Sequence, residues 1–308
     1  MGRGNETSVD GFTLLGLFSG LRHVGFLICT ILLNYVVAIT GNTTLVLLIS
    51  LDPGLHSPMY LLLSQLSLMD ISLISTTVPK MLTNYFAGTS AISYIGCATQ
   101  VYFHSTLGVG ECILLTLMAC DRYVAICNLL RYVVIMNPQV CLKMATVSWL
   151  GGALNALIQT AYTMNFPICG SREVHHFFCE LQALLKLSCE DTSTYWKVVF
   201  ISGIILILTP FSLILTSYIF IFLTVFRLNS SKARHKALAT CSSHLLLVLF
   251  YFGPTVLIYM TPRSLHTTEQ EQGLSVFYTI LTPMLNPLIY SLRNKEVREA
   301  LRKVLRKV

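Results

Sequence analysis

The chain has 308 residues, 54% of them hydrophobic and only 11% charged, where a soluble domain carries about 25% charge. Together with a mean hydropathy of +0.67, this composition excludes a soluble globular domain and a disordered chain and leaves an integral membrane protein. The net charge of +7 reads as a topology signal and an attraction to anionic membrane lipid, not as a nucleic-acid surface.

A bilayer core about 30 Å thick requires about 20 apolar residues in helical form. Seven stretches qualify: Val24 to Ser50, Pro58 to Asn84, Cys97 to Ile126, Leu142 to Met164, Tyr195 to Phe226, His235 to Met260 and Gln272 to Leu292. The predicted architecture is an all-α membrane protein, one seven-transmembrane helix bundle over residues 1–308. A polar tail (1–23) precedes the first span, a long loop (165–194) joins the fourth to the fifth, and a tail (293–308) ends the chain. In that last tail Val297, Leu301, Val304 and Leu305 make an apolar stripe among basic residues, which predicts a short amphipathic helix on the membrane surface.

An odd number of spans puts the two termini on opposite sides, and basic residues decide which is which. Fourteen of the 21 Lys and Arg, among them Arg122, Arg131, Arg227, Arg234 and Arg293, fall on the C-terminal side with only Asp52, Asp121, Glu296 and Glu299 against them. That predicts a plasma-membrane protein with its N-terminus outside and its C-terminus cytoplasmic. The opening MGRGNETSVDG lacks the pattern of a cleavable signal, so the first span is expected to direct insertion. Asn5-Glu6-Thr7 is then a glycosylation sequon on the outer side, whereas the matching strings at Asn42 and Asn229 lie in a span or on the inner side.

Cys169, Cys179 and Cys189 occupy the long loop, and Cys97 opens the third span on the same face. Four cysteines in an oxidising compartment imply two disulfides, with three connectivities open. His175, His176, Cys179 and Glu180 form a soft-ligand set as well, but a cysteine in a disulfide is no thiolate ligand, and no metal is expected.

Ionisable residues inside spans point to function. At about 1.5 Å per residue, His104 lies about 10 Å and Glu111 about 21 Å below Cys97, and Asp70 reaches a similar mid-depth in the second span. Positions 104, 108, 111, 112 and 115 share a helix face, and Gly108 and Gly110 open it to a small molecule or a neighbouring helix. Two carboxylates at one depth require a shared proton or a cation such as sodium, unless hydrogen bonds to Asn42, Ser67 or Asn286 suffice. At the inner end of the third span Asp121, Arg122 and Tyr123 place an ion pair at the water boundary. Pro210, Pro254 and Pro287 kink the last three spans, and Asn286-Pro287-Leu288-Ile289-Tyr290 sets an amide, a kink and a phenol close together. Tyr218 approaches the same level; either phenol serves as a switch on Arg122 or as an interfacial anchor.

The ordered set GN at 41–42, LHSPMY at 55–60, LSLMD at 66–70, PKML at 79–82, MACDRYVAIC at 118–127, SY at 217–218, KALATCSSHL at 236–245 and PMLNPLIYSLRNKEV at 283–297, with HFFCE in the long loop, resembles the odorant receptors. These are a branch of rhodopsin-like G-protein-coupled receptors, and the likeness is to their tetrapod-type class. The resemblance spans nearly the whole chain. It implies Cys97 paired with Cys179 and Cys169 with Cys189, although Cys97 with Cys189 stays open on the residues alone. It implies an inactive state held by Asp121 and Arg122, with Tyr218, His244 and Tyr290 rearranging as the sixth span opens a cleft for a stimulatory olfactory-type G protein, and Asp70 with Glu111 as an internal acidic pair. A small volatile odorant would bind among His104, Ser105, Gly108, Val109 and Cys112 of the third span, Ser202, Leu206 and Ile207 of the fifth, Phe252, Thr255, Val256 and Tyr259 of the sixth, and Val276 and Thr279 of the seventh. Arg263 stands at the rim.

Three departures bear on coupling. Cys120 stands where the family has Tyr, Leu129 where it has Pro, and Tyr251-Phe252 where it has Phe-Tyr, so the hydroxyl expected at 252 is missing. A transporter or channel using Asp70 and Glu111 is the rival class, disfavoured by the odd span count and the lack of an internal repeat. No nucleophile, base and oxyanion donor converge in order, so an enzyme is not expected.

Overall fold

The computed structural model describes residues 11–17, 24–189, 193–227, 229–260 and 267–306. Asn5 and Arg263 lie outside the described residues, as does the side chain of Tyr259. Among the described residues, six helices are long and apolar enough to cross a membrane: Val24–Leu51, Pro58–Ala87, Tyr94–Cys127, Pro138–Met164, Phe200–Phe226 and Ala237–Ile258. A seventh span runs through Thr268–Val276, a π-helical turn Phe277–Leu281, and Thr282–Arg293. The fifth has the same form, with Ser193–Gly203 and Thr209–Phe226 flanking a π-helical turn at Ile204–Leu208.

Several helices outrun their apolar stretches, because hydropathy measures hydrocarbon thickness and caps decide where a helix ends. The fourth starts at Pro138 rather than Leu142: Asn137 caps it by accepting the Val140 N–H at 3.0 Å, with proline at the first helical position. The helix containing the sixth span starts at Ser231, four residues before the apolar stretch. Span 2 ends on Gly88, whose φ of +63° puts it in the left-handed region where glycine carries no steric cost.

Spans 3 and 4 form the closest helix pair. A Cβ placed on Gly152 would lie 2.2 Å from the Thr106 carbonyl oxygen, and one on Gly110 would lie 3.2 Å from the Ser148 carbonyl oxygen. Small residues let these backbones approach, which in lipid is the main source of helix association. Gly108 differs: a Cβ there would meet nothing within 4 Å. The two glycines read together from sequence therefore have separate uses, one for a helix contact and one for an opening.

At the disulfide end the structure adds a small sheet inside the segment expected to be only a polar tail. Strand β1 (Gly11–Leu14) pairs antiparallel with β2 (Ala91–Ser93) and parallel with β3 (Glu173–Val174). Disulfides Cys97–Cys179 and Cys169–Cys189 fasten the long loop as a lid. Gln100 of span 3 locks the first of these: its Oε1 accepts the Cys179 N–H and its Nε2 donates to the Thr76 carbonyl, each at 2.8 Å. His176 is buried in the lid against Phe177 and Phe178. Burial first, then the nearby His104 and Lys186, depresses its pKa to about 3.

At the opposite end, helix Lys295–Leu305 is capped by Asn294, whose Oδ1 accepts the Glu296 and Val297 N–H groups. Its predicted apolar stripe is divided. Val297 is fully buried against the bundle, while Val304 is exposed. Tyr60 of span 2 donates to Glu296 Oε2 at 2.6 Å, and Lys303 pairs with Asp52 at 3.1 Å, so this helix is tied to the bundle and does not simply float on the lipid.

Proline in a helix removes the N–H that the carbonyl four residues earlier requires, and lipid supplies no replacement. Here neighbouring spans supply it. Pro210 leaves Leu206 O, which the Cys112 thiol reaches at 3.1 Å. Pro254 leaves Phe250 O, reached by Thr282 Oγ1 at 3.5 Å, and Pro287 leaves Pro283 O, which accepts Asn42 Nδ2 at 2.8 Å.

Two predictions follow from these contacts. Asn42→Ala leaves Pro283 O without its donor in a fully buried position, and the purified protein should lose about 1–3 kcal/mol of stability, read as a lower thermal midpoint. For the lid, a histidine whose folded pKa lies below its free value stabilises fully above about pH 6.5 and loses that contribution as pH falls toward 3. Between pH 6.5 and pH 5 the midpoint should fall, offset in part by the Glu180 carboxylate 3.3 Å from His176 Nε2, and His176→Gln should flatten that pH dependence.

Candidate functional site

Beneath the lid, spans 3, 5, 6 and 7 enclose a cavity of about 120 Å³. For comparison, a core cavity of about 150 Å³ holds benzene. Of the residues expected to line a pocket, His104, Ser105, Gly108, Val109, Cys112, Ser202, Leu206, Ile207 and Thr255 do so. Phe252 does not: it is 1% exposed and tilts against Phe211 at 5.6 Å. Val256 packs on the main apolar core, and Val276 on the cluster around Phe177 and Phe178. Thr279 is fully buried and touches the cavity only through His104, at 3.4 Å.

The remaining lining comes from Leu73, Gln159, Leu181, Gly203, Tyr251, Ile258 and Tyr278. Gln159 of span 4 and Leu181 of the lid were beyond reach of a reading confined to the four spans expected to form the pocket. Tyr251 was within reach. The hydroxyl missing at 252 stands one position earlier, on the ring that faces the cavity. Its phenol donates to the Gly108 carbonyl oxygen.

Span 3 thus holds each flanking span through one residue per turn. His104 meets Thr279 of span 7, Gly108 O accepts Tyr251 of span 6, and Cys112 donates to Leu206 O of span 5. His104 also packs on Phe178 of the lid at 4.7 Å and on Tyr278 at 5.5 Å.

Deeper in the bundle, Asn286 Nδ2 donates to both Asp70 oxygens, at 3.0 and 2.9 Å. Of the three partners considered for Asp70, Asn286 is the one engaged, since Asn42 turns to Ala38 O and Pro283 O. Glu111 is 1% exposed, feels the charge of Asp70, and keeps Oε1 without a hydrogen-bond partner among the described residues; Asn286 Oδ1 is likewise unpartnered. Oxygens left over in a buried polar cluster are the ligand type that a hard cation takes.

At the far end of span 3, Arg122 Nη2 pairs with Asp121 Oδ2 at 2.9 Å, and the other carboxylate oxygen accepts Tyr132 at 2.8 Å. Tyr132, in the helical turn Tyr132–Ile135, is a partner that the sequence reading missed. Its signal was weak, a tyrosine eleven residues downstream across a loop. Tyr218 pairs with His244 Nδ1 at 2.7 Å, and His244 Nε2 donates to Leu115 O at 3.2 Å, so Nε2 carries a proton. Tyr218 is therefore engaged with His244 and not with Arg122. Tyr290 is buried nearby, Tyr123 meets Phe220 edge-on at 6.1 Å, and Pro287 fits against Gly41.

Two further features bear on ligand classes. Cys179 is committed to its disulfide, and among the described residues no group of three or more His, Cys, Asp and Glu is gathered as a metal site. A larger groove of about 430 Å³ near His56, Val133 and Pro138 lies between spans 1, 2 and 4, where Leu61 and Val133 are exposed on the bundle's outside.

The olfactory receptor family profile matches residues 29–308. Human olfactory receptor 2M2 is 51% identical over 98% of this chain and 87% of its own length. Human olfactory receptor 2AJ1 is 49% identical over 99% and 93%, and human olfactory receptor 2T2 is 52% identical over 96% and 91%. These relatives are receptors and not enzymes. With seven spans, a disulfide-fastened lid and matches over nearly its full length, the chain belongs to the olfactory receptor family of rhodopsin-like G-protein-coupled receptors.

Proposed function

We propose that this odorant receptor binds small volatile molecules in the cavity beneath the lid and activates a stimulatory olfactory-type G protein to raise cyclic AMP. The observation that carries the reading is the cavity itself: lined mainly by four spans, closed by the lid, mostly apolar, and directly linked through span 3 to the Asp121–Arg122 pair. Such a site holds ligands by shape and one or two hydrogen bonds, which favours modest affinity and broad selectivity.

In this reading the N-terminus and lid face outward and the basic end faces the cytoplasm, supported by the concentration of Lys and Arg there. Membrane lipid surrounds the bundle, and Asn5 is the glycan acceptor. Asp70, Glu111 and Asn286 are suited to hold a sodium ion or to share a proton, supported by the unpartnered oxygens of Glu111 and Asn286. The Asp121 carboxylate, held by Arg122 and Tyr132, keeps the cytoplasmic cleft closed. Ligand-driven motion of span 6 releases Arg122 to the G protein.

Cyclic AMP measured in cells co-expressing the chain and an olfactory-type G protein, across a broad volatile panel, tests this. Arg122→Ala should abolish the response at equal surface display, and His104→Ala should reorder the ligands. Tyr132→Phe removes one of two bonds on Asp121, and basal cyclic AMP should rise about fivefold, the equivalent of about 1 kcal/mol. Responses that survive Arg122→Ala at full strength would overturn the coupling assignment.

A further inference from the structure

Tyr251 and Cys112 each line the cavity and donate to a backbone carbonyl on another of its walls, and of the two the phenol is the stronger donor. The Tyr251 ring forms part of the wall, and its hydroxyl is donated to a backbone carbonyl, Gly108 O, which belongs to another wall of the same cavity. Gly108 has no side chain to shield that carbonyl, and a Cβ there would meet nothing within 4 Å. Phe252, the next residue, is buried against Phe211 and has no hydroxyl to offer.

We infer that Tyr251 is the specificity-determining residue of this cavity and that it selects ligands bearing a hydroxyl group, which insert between the Tyr251 phenol and the Gly108 carbonyl. The inference rests on the cavity being the ligand site. A hydroxyl is both donor and acceptor, so an alcohol gives its proton to Gly108 O and accepts the proton of Tyr251, and both partners stay satisfied. An ether or ketone of the same shape accepts from Tyr251 but returns nothing to Gly108 O, and a displaced buried acceptor is costly.

Size sets a second limit. A cavity of about 120 Å³ suits a small aliphatic or alicyclic alcohol. Insertion also has a mechanical result. One added oxygen lengthens the span 3 to span 6 connection by roughly 2.8 Å, an O–H···O distance. The push falls three residues before Pro254, where span 6 lacks the N–H that would bond Phe250 O and is held there by the long contact from Thr282.

The test pairs small alcohols, about four or five carbons, with isomeric methyl ethers of equal heavy-atom count, matched to cavity size. Half-maximal concentrations are read for wild type, Tyr251→Phe and Phe252→Tyr at equal surface display. Wild type should prefer each active alcohol over its ether about tenfold, because an ether breaks the Tyr251 bond to Gly108 O without replacing it. In Tyr251→Phe a water serves Gly108 O, an ether breaks no such bond, and the two should come within about twofold while basal signal rises. Phe252→Tyr should keep the wild-type preference, because its ring does not face the cavity. Equal potency of alcohols and ethers on wild type, silence of every alcohol on displayed receptor, or an unchanged preference in Tyr251→Phe would each overturn the inference. Val109→Trp, which fills the cavity, separates this failure from failure of the site: retained responses overturn the cavity reading. Lost responses with an unchanged preference in Tyr251→Phe overturn the role of Tyr251 alone. Ser105→Phe replaces it if Val109→Trp does not reach the surface.

Discussion

Inside a bilayer a backbone carbonyl has no water to turn to, and each kink proline creates one that needs a donor from elsewhere. The bundle meets this constraint with side chains on adjacent spans: Cys112 for span 5, Thr282 for span 6, Asn42 for span 7. These bonds bring together helices whose mutual attraction in lipid is otherwise only close packing. They also lie where the last three spans are weakest. The helix register is interrupted by π turns at Ile204–Leu208 and Phe277–Leu281, so the same places that need donors are the places able to bend.

The two halves of the bundle are consequently unequal. Spans 3 and 4 meet through glycine, with Gly152 so close to Thr106 O that even one added methyl is excluded. A contact of that kind has one geometry. At the cavity, span 3 meets spans 5, 6 and 7 through one hydrogen bond each, replaceable by a ligand group, while His244 to Leu115 O and Cys127 to Thr224 hold it to spans 6 and 5 deeper down. Span 3 joins a fixed pair on one side to an adjustable trio on the other, and it carries the Asp121–Arg122 pair at its end. The depressed pKa of His176 belongs to the fixed side, where the lid is dry and closely packed.

The seven spans were legible because hydrocarbon thickness imposes an apolar length that any sequence must show. Helix ends beyond the lipid were not, since Asn137 and Pro138 act through capping, which hydropathy ignores. The face of span 3 was legible from helical spacing, and positions 104, 108 and 112 all reach the cavity. The outcome for Phe252 and Tyr251 shows the limit: a family pattern assigns a role to a position, but which of two adjacent rings points inward depends on local packing against Phe211. The β1 strand was hidden for another reason. Its four residues GFTL gain their strand character only from partners at Ala91–Ser93 and Glu173–Val174.

That last pairing has a consequence for biosynthesis. Thr13 lies opposite Glu173, about 160 residues later in the chain. At about 5–20 residues per second of synthesis, the first strand emerges roughly ten to thirty seconds before its parallel partner exists. Through that interval one edge of β1 is open, and the second disulfide has no sulfur to pair with until Cys189 appears. The lid is therefore completed only after four spans have been made, although it contains one of the first parts to emerge. Nascent chains spend that waiting period with an open strand edge, and pairing with a wrong neighbour competes there with the native pairing.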